Sequence, residues 1–322
     1  MLIKKIIFFI IYGIFIYITL CFFVVLLSFI GIQQNFIISN EPFLSNQIYL
    51  YHKGLRNIWQ NNANCVDFVD SELKYVPKIG SCEFNNPEFK TRLNFTKNGR
   101  DQKNDNKSKN LIAFIGDSVT MGWGVNDHET FSNLVESKTN YKTYNLGVSS
   151  YGTYRELIRL KQNENFNKIE KVFIQYHRND LDENQHYFSQ DESNNNGKEM
   201  LNNKIRNFNE KQFILKAIKK SISKNHKYIF QKEKEKKPID FIEHQYYLEN
   251  IINNFDLKNK EVYIFYVNDF NRKFTNFPNK KVNNITYFSI ELEKNDFYKI
   301  DDHPNANGHN KIANQIIELI NR

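Results

Sequence analysis

A long run without a charged side chain, residues 6–32, constrains the start of the chain more than any other feature. About 20 apolar residues suffice to span a bilayer as a helix. Lys4 and Lys5 precede the run and the next charge is Glu41, so the N-terminus is predicted to stay in the cytoplasm and the chain from residue 33 to be exported. A cleaved signal peptide is the alternative. The run is long for one and lacks an A-x-A-like cleavage site, which favours an uncleaved signal-anchor.

The rest of the chain must fold in water. Its 322 residues are 40% hydrophobic and 15% aromatic, which provides a sizeable core and excludes wholesale disorder and collagen-like sequence. Three cysteines exclude a Cys-rich zinc protein. The composition is rich in Ile, Lys, Asn and Phe, as in proteins from AT-rich bacterial genomes. The exported part is therefore expected to face the periplasm or the cell exterior from the bacterial inner membrane.

The two cysteines outside the apolar run, Cys65 and Cys82, are predicted to form a disulfide. An oxidising compartment permits the bond. Closing the loop between them would contribute about 3 kcal/mol in the chain-entropy account. Two free buried thiols are the alternative. Cys21 lies within the apolar run and is interpreted as a small apolar residue.

Composition divides the exported part in two. Residues 33–110 are rich in aromatic side chains and Asn, and we interpret them as a membrane-proximal lead-in or cap. They close with the polar stretch GRDQKNDNKSKN, predicted to be a linker or exposed loop. Residues 111–322 alternate short apolar runs with helical patterns, which predicts a parallel sheet with helices on both faces.

The predicted strands of this second part are 111–116, 141–148, 171–177, 261–269 and 285–292. The predicted helices are 129–138, 154–162 and 311–320.

A polar insertion is predicted at about 183–245, between the third and fourth strands. Within it, residues 216–237 hold nine Lys and two Glu, and 213–222 have an amphipathic helical pattern. This segment could contact anionic glycan or lipid, although a solvated surface insertion is favoured. Residues 216–237 carry a charge of +7 and the two N-terminal lysines carry +2, so the remainder of the chain nets about −1 of the total of +8. The catalytic part is then nearly neutral, and nucleic acid is not expected as a partner.

Two motifs carry chemistry. In FIGDSVTMGWGV, Ser118 lies just beyond the end of a buried strand, where open α/β sheets bind ligands. A serine on such a strand-to-helix turn is suited to act as a nucleophile with backbone N–H groups beside it. In KIDDHPNANGH, His303 could serve as its base with Asp301 as the orienting carboxylate. His309 is expected to cap or pack in the last helix, with lining the site as the alternative.

Together these motifs resemble those of the SGNH (GDSL-type) hydrolase family. That resemblance implies a flavodoxin-like three-layer α/β/α fold with four blocks contributing Ser, Gly, Asn and His. GDSVTMG resembles the first block, with Ser118 as nucleophile and oxyanion donor, and NLGVSSYG the second, with the Gly147 N–H as donor. HRND resembles the third, with Asn179 as side-chain donor, and DDHPN the fourth, with His303 as base. The resemblance covers about 110–322.

This sequence departs from the family pattern twice. His177 stands where the third block usually has Gly, which would cause strain if that position required a positive φ. The fourth block often has Asp three residues before its His, where this chain has Ile300. Asp301 is therefore the expected orienting residue, and Asp302 is the alternative.

The resemblance implies a serine esterase that works through an acyl-enzyme. No metal or organic cofactor is expected, because the sequence has neither phosphate-binding Gly loops nor metal-spaced sets of His and Cys. An exported, membrane-anchored enzyme is expected to act on O-acyl esters of envelope polysaccharide or lipid. An O-acyltransferase of envelope glycans using the same site is one alternative. A glycan-binding or scaffold protein without turnover is another, supported only by His177. The oligomeric state does not follow from the sequence.

Overall fold

The computed structural model describes residues 2–33, 47–52, 59–69, 71–101, 108–188, 219, 238–268 and 273–321. The helices are α1 (Leu2–Gln33), α2 (Ser118–Met121), α3 (Phe131–Lys138), α4 (Thr153–Lys161), α5 (Asp180–Phe188), α6 (Phe241–Asn253) and α7 (Ala306–Ile320). Short 3₁₀ turns occur at Trp59–Asn61, Asp127–Glu129, Phe166–Lys168 and Lys294–Asp296.

The strands fall into a lead-in group and a domain group. The lead-in group is β1 (Val66–Phe68), β2 (Tyr75–Pro77), β3 (Gly80–Asn85), β4 (Lys90–Thr96) and β5 (Gly99–Arg100). The domain group is β6 (Leu111–Ile115), β7 (Lys142–Asn145), β8 (Ile169–Gln175), β9 (Ile239–Asp240), β10 (Glu261–Asn268), β11 (Phe274–Thr275), β12 (Lys281–Val282) and β13 (Ile285–Glu291).

Helix α1 is the candidate membrane span. Its segment Ile3–Gly31 is long and apolar enough to cross a membrane, and only 6% of its most apolar part is buried. The assignment rests on length and composition alone, and a signal sequence near the N-terminus has the same properties. The cytoplasmic position of the N-terminus stays a prediction.

Five parallel strands form the centre of the main sheet, in the spatial order β7-β6-β8-β10-β13. Numbered along the chain, this order is second, first, third, fourth and fifth, which is the flavodoxin-like arrangement. All five strands that the sequence predicts are present, with ends shifted by at most three residues. The predicted parallel sheet is confirmed.

Side chains of the central strand β6 alternate between two cores. Leu111, Ala113 and Ile115 belong to one core, together with residues of α4 and α6. Ile112 and Phe114 belong to the other, together with residues of α3 and α7. Since a strand with both faces buried needs a helical layer on each side, the three-layer α/β/α architecture is confirmed.

The lead-in is continuous with this sheet. Strand β4 pairs antiparallel with β3 on one side and with β5 on the other. Strand β5 in turn pairs with β7, where Arg100 lies opposite Asn145. Gly99 and Arg100 lie in the polar stretch predicted as a linker or exposed loop, yet both are buried. That part of the prediction is wrong because the polar groups of Arg100 find partners inside the fold. Residues 102–107 of the same stretch lie outside the described residues.

A third core, here called the lead-in core, joins the lead-in to the α/β domain. It contains Trp59, Tyr75 and Phe84 of the lead-in together with Trp123 and Tyr151 of the domain. Cys65 and Cys82 are part of it and form the expected disulfide. The lead-in therefore packs on the loops that follow β6 and β7.

Helix α7 begins at Ala306, five residues before the predicted start. The Asn305 side chain accepts hydrogen bonds from the Asn307 and Gly308 N–H groups, at 3.0 and 3.2 Å. An N-cap of this kind satisfies donors that the first helical turn leaves without intrahelical partners. The helix can therefore begin before the first residues of its apolar face.

Both ends of the predicted insertion, residues 183–245, belong to helices of the α/β domain. Helix α5 extends to Phe188 and α6 starts at Phe241, so the insertion is shorter than predicted. The amphipathic segment 213–222 lies outside the described residues apart from Lys219.

Candidate active site

Ser118 lies at the carboxyl end of the central strand, as the first residue of α2. The Asp117 carboxylate caps this short helix by accepting a hydrogen bond from the Val119 N–H, at 2.9 Å. Gly122 ends it with a φ of 79°, a left-handed conformation that favours glycine. The hydroxyl is thus carried on a tight strand-to-helix turn and stays partly exposed.

The structure brings Ser118, His303 and Asp301 together. The His303 Nε2 lies 2.8 Å from the Ser118 Oγ. The His303 Nδ1 contacts the Asp301 Oδ1. Asp301, and not the alternative Asp302, is thus the carboxylate in this hydrogen-bonded series. The imidazole has the orientation that a general base for the serine requires.

The ionisation of the pair follows from this contact. Burial lowers the pKa of His303, but the neighbouring Asp301 carboxylate outweighs burial and the pKa lies above its ordinary value. Burial raises the pKa of Asp301, but His303 and the Trp123 N–H outweigh it and the pKa lies below its ordinary value. The carboxylate is thus suited to stabilise the imidazolium that forms when His303 takes a proton.

The three expected oxyanion donors lie in adjacent loops, after β6, β7 and β8. Ser118 is the first residue of α2, and an N–H at this position has no acceptor within the helix. The Gly147 N–H donates to the Asn145 Oδ1 at 3.1 Å, so an oxyanion would compete with that side chain. A side chain at Gly147 would approach the Met121 nitrogen to 2.3 Å. Only glycine fits there.

The third block is unstrained. His177 is not among the described residues with positive φ, so the strain that would follow from a glycine-only conformation does not arise. A turn holds its backbone: the His177 N–H donates to the Asp180 Oδ2 at 3.2 Å, and the Asp180 N–H donates to the His177 carbonyl at 3.0 Å. The condition under which His177 was expected to cause strain, a positive φ, is therefore not met.

His309 packs in the core as expected. It is fully buried, and its Nδ1 accepts a hydrogen bond from the Phe131 N–H at 3.2 Å. Burial lowers its pKa to about 3, so the ring is neutral. Its contacts link α7 to α3.

Arg100 supports the nucleophile loop, and sequence reasoning missed it. Its fully buried guanidinium pairs with Asp127 at 2.9 Å and donates to the carbonyls of Met121, Gly122 and Val125, at 2.6, 2.6 and 2.5 Å. Those carbonyls belong to the turn after Ser118. Burial of a charged group is costly unless it is paired and hydrogen-bonded, and here one carboxylate and three carbonyls accept hydrogen bonds from the guanidinium.

Glu88 supports the loop of the base in a comparable way. Its carboxylate accepts hydrogen bonds from the N–H groups of Lys299, Ile300 and Asp301, at 2.7, 2.8 and 3.0 Å. Charge-assisted hydrogen bonds of this kind are stronger than neutral ones. Sequence reasoning missed Glu88 because nothing in NNPEF marks a contact more than 200 residues away.

Trp123 links the two loops. Its Nε1–H donates to the Asp301 Oδ2 at 3.1 Å. The ring packs edge-on against Phe84 and Phe89, with centroids 4.6 and 5.6 Å away. Trp123 directly follows the first block in the sequence, but only its proximity to Asp301 in the structure reveals this contact.

The lead-in also contacts the loop of Gly147. The Tyr75 hydroxyl donates to the Ser149 carbonyl at 2.8 Å. The Gln60 side-chain amide donates to the Ser149 hydroxyl at 2.9 Å. Each loop that carries a predicted nucleophile, base or glycine donor is thus held by lead-in side chains.

Residues 47–52 form a short helical segment, outside the numbered helices, that lies between the anchor and the site. The Tyr51 ring lies 5.5 Å from that of Phe29 in α1. On the other side, Ile48 and His52 line a small cavity with Ile300 and Asp301. The end of the apolar helix and the loop of the base are therefore separated by a single helical segment.

Among the described residues, no three His, Cys, Asp or Glu side chains are grouped so that they could hold a metal ion.

The solved structures that are similar to this chain include an esterase, a lipase and a lipolytic protein. One is a member of the lipolytic protein G-D-S-L family from Veillonella parvula, at 11% identity and TM-score 0.33, covering 66% of this chain and 98% of that one. Another is the psychrotrophic esterase EstA from Pseudoalteromonas sp., at 12% identity and TM-score 0.35, covering 66% of this chain and 100% of that one. A third is a GDSL-like lipase from Bacteroides thetaiotaomicron, at 14% identity and TM-score 0.30, covering 66% of this chain and 89% of that one.

No protein-family model matches the sequence, and no curated protein matches it either. The TM-scores of the solved structures lie below 0.5, so no conclusion is drawn from them. The strand order and the four blocks at the carboxyl ends of the strands are observed directly. The chain has a flavodoxin-like three-layer α/β/α fold, and its four blocks resemble those of the GDSL-type (SGNH) hydrolases.

Replacing Arg100 with Met should lower the free energy of unfolding by about 3–5 kcal/mol, because Asp127 and three carbonyls lose a buried cationic partner. Urea unfolding of the detergent-solubilised chain measures this. The control is Arg92→Met, whose side chain is 62% exposed and should change stability by less than about 0.5 kcal/mol. Equal losses in both variants would contradict the role given to Arg100.

Replacing Glu88 with Ala should lower kcat/KM for an ester at least about tenfold, because the loop of Asp301 and His303 loses three charge-assisted hydrogen bonds. Glu88→Gln keeps an acceptor oxygen and should lose less. Initial rates on p-nitrophenyl acetate provide the measurement, with the exposed Glu83→Ala as control. An unchanged rate in Glu88→Ala would show that the loop does not depend on this carboxylate.

The pH profile of kcat/KM should have its acidic limb above 6.5, the ordinary pKa of histidine, because Asp301 raises the pKa of His303. A base must be neutral to accept a proton, so activity rises as pH passes through that pKa. Asp301→Asn removes the charge that favours the imidazolium and should shift the limb to lower pH. A shift to higher pH would contradict this assignment.

Proposed function

We propose that the chain is a serine ester hydrolase that acts through an acyl-enzyme on O-acyl esters of envelope polysaccharide or lipid. One observation carries the proposal: the Ser118 hydroxyl lies 2.8 Å from the His303 Nε2, with Asp301 on the other ring nitrogen. A serine hydroxyl is a weak nucleophile unless a base is held within hydrogen-bonding distance.

The acylation step follows from these roles. The Ser118 Oγ attacks the ester carbonyl while its proton passes to the His303 Nε2. The Ser118 N–H and the Asn179 side-chain amide meet the developing oxyanion, and Gly147 adds its N–H if that group turns from Asn145. Losing one such donor typically raises the barrier by about 3 kcal/mol. The intermediate collapses as the alcohol leaves with the proton from His303.

Deacylation uses the same groups. His303 takes a proton from water, which attacks the acyl carbonyl bound to Ser118. The acid leaves and the serine regains its proton. A sugar hydroxyl in place of water would give acyl transfer, so the nature of the acceptor distinguishes a hydrolase from the transferase alternative.

The substrate class rests on the position of the site. The loop of His303 is one helical segment away from the end of α1, so an anchored chain would hold the site near the membrane surface. We propose that α1 leaves the N-terminus in the cytoplasm and the catalytic part exported. Esters on envelope glycans or lipids are then the substrates within reach.

Turnover of p-nitrophenyl acetate tests the proposal. The full chain in detergent should hydrolyse it, and Ser118→Ala and His303→Ala should each lower kcat by at least about 10³-fold. Ser137→Ala is the matched control, because Ser137 is an exposed serine on α3. Activity that survives in Ser118→Ala would contradict the assignment of the nucleophile. No turnover of any ester by the folded wild type would contradict the catalytic proposal.

A further inference from the structure

We infer that His177 is a positioning residue that holds the Asn179 side chain with its NH₂ group toward the oxyanion. This inference rests on the proposed function and deepens it. The His177 Nδ1 contacts the Asn179 Oδ1. His177 is one of the two positions at which this chain departs from the family pattern, so the family does not supply the role.

The surroundings of His177 favour a proton on its Nδ1. Its Nδ1 faces two oxygens, the Asn179 Oδ1 and the Asp117 Oδ2, which is 3.8 Å away. A carboxylate near a ring nitrogen favours a proton on that nitrogen. The Nδ1 is thus the donor, and the atom of Asn179 that it contacts is the acceptor, the amide oxygen.

That contact decides which end of the Asn179 amide is presented to a ligand. With its oxygen bound to His177, the side chain directs its NH₂ group away from the ring. In the opposite orientation the amide oxygen would face the oxyanion and repel it. An oxyanion donor contributes only if it is already oriented before charge develops.

Asn179 needs such a partner. Its side chain is exposed, whereas His177 is half-buried. An exposed amide with free rotation would lose side-chain entropy on binding the transition state. The His177 backbone is held by its two hydrogen bonds with Asp180, so the ring lies on a fixed turn.

A double-mutant cycle tests the inference. His177→Ala should lower kcat on p-nitrophenyl acetate about tenfold, with KM changed less than about twofold, because the lost contact matters in the transition state. Asn179→Ala should lower kcat by about 10²–10³-fold. In the Asn179→Ala background, His177→Ala should lower kcat less than about twofold further, because the group it positions is gone.

A conservative variant gives a second readout. In His177→Asn an amide NH₂ can take the place of the ring Nδ1–H, so kcat should recover to within about threefold of wild type. The control is His128→Ala, an exposed histidine after the nucleophile loop that should leave kcat unchanged. Melting temperatures of all variants separate loss of fold from loss of activity.

Two results would overturn the inference. One is an unchanged kcat in His177→Ala. The other is an equal loss from His177→Ala with and without Asn179, which would mean that the histidine acts independently of the amide. The proposed function fails differently, through activity that survives in Ser118→Ala or through no turnover by the wild type.

Discussion

The hydrogen bond between the Ser118 hydroxyl and the His303 imidazole joins two residues 185 positions apart. Neither residue lies within the sheet, so the distance between them depends on two loops. Polar contacts hold both loops: the buried Arg100 binds carbonyls of one loop, and the partly exposed Glu88 binds N–H groups of the other. The geometry of the site therefore depends on the lead-in as much as on the α/β domain.

The lead-in is therefore a structural part of the active site. Its strands extend the main sheet, its aromatic side chains share a core with the active-site loops, and its disulfide lies in that core. A loop–loop site without such support would lose the preorganisation that makes oxyanion donors and a general base effective. The export predicted from α1 and the disulfide are consistent with each other, because an oxidising compartment preserves that bond.

Sequence patterns predicted those elements and site residues that are marked by a contiguous stretch of the chain. Strand β6 is a continuous apolar run, and Ser118, Asn179 and His303 each lie in a short recognisable block. Arg100 and Glu88 could not be found in this way, because their partners lie elsewhere in the chain and an isolated charge in a polar stretch is usually solvated. Gly99 and Arg100 were predicted to be exposed for that reason. The start of α7 was missed because Asn305 acts through its cap and not through apolar spacing.

Covalent labelling of the intact chain by a fluorophosphonate tests the central claim most directly, since such a probe reacts with a serine that a neighbouring base activates. Peptide mass spectrometry should find one adduct, on Ser118, and the adduct should be lost in His303→Ala. Labelling of Ser118 that persists at the wild-type rate in His303→Ala, or an adduct on another serine alone, would contradict the account.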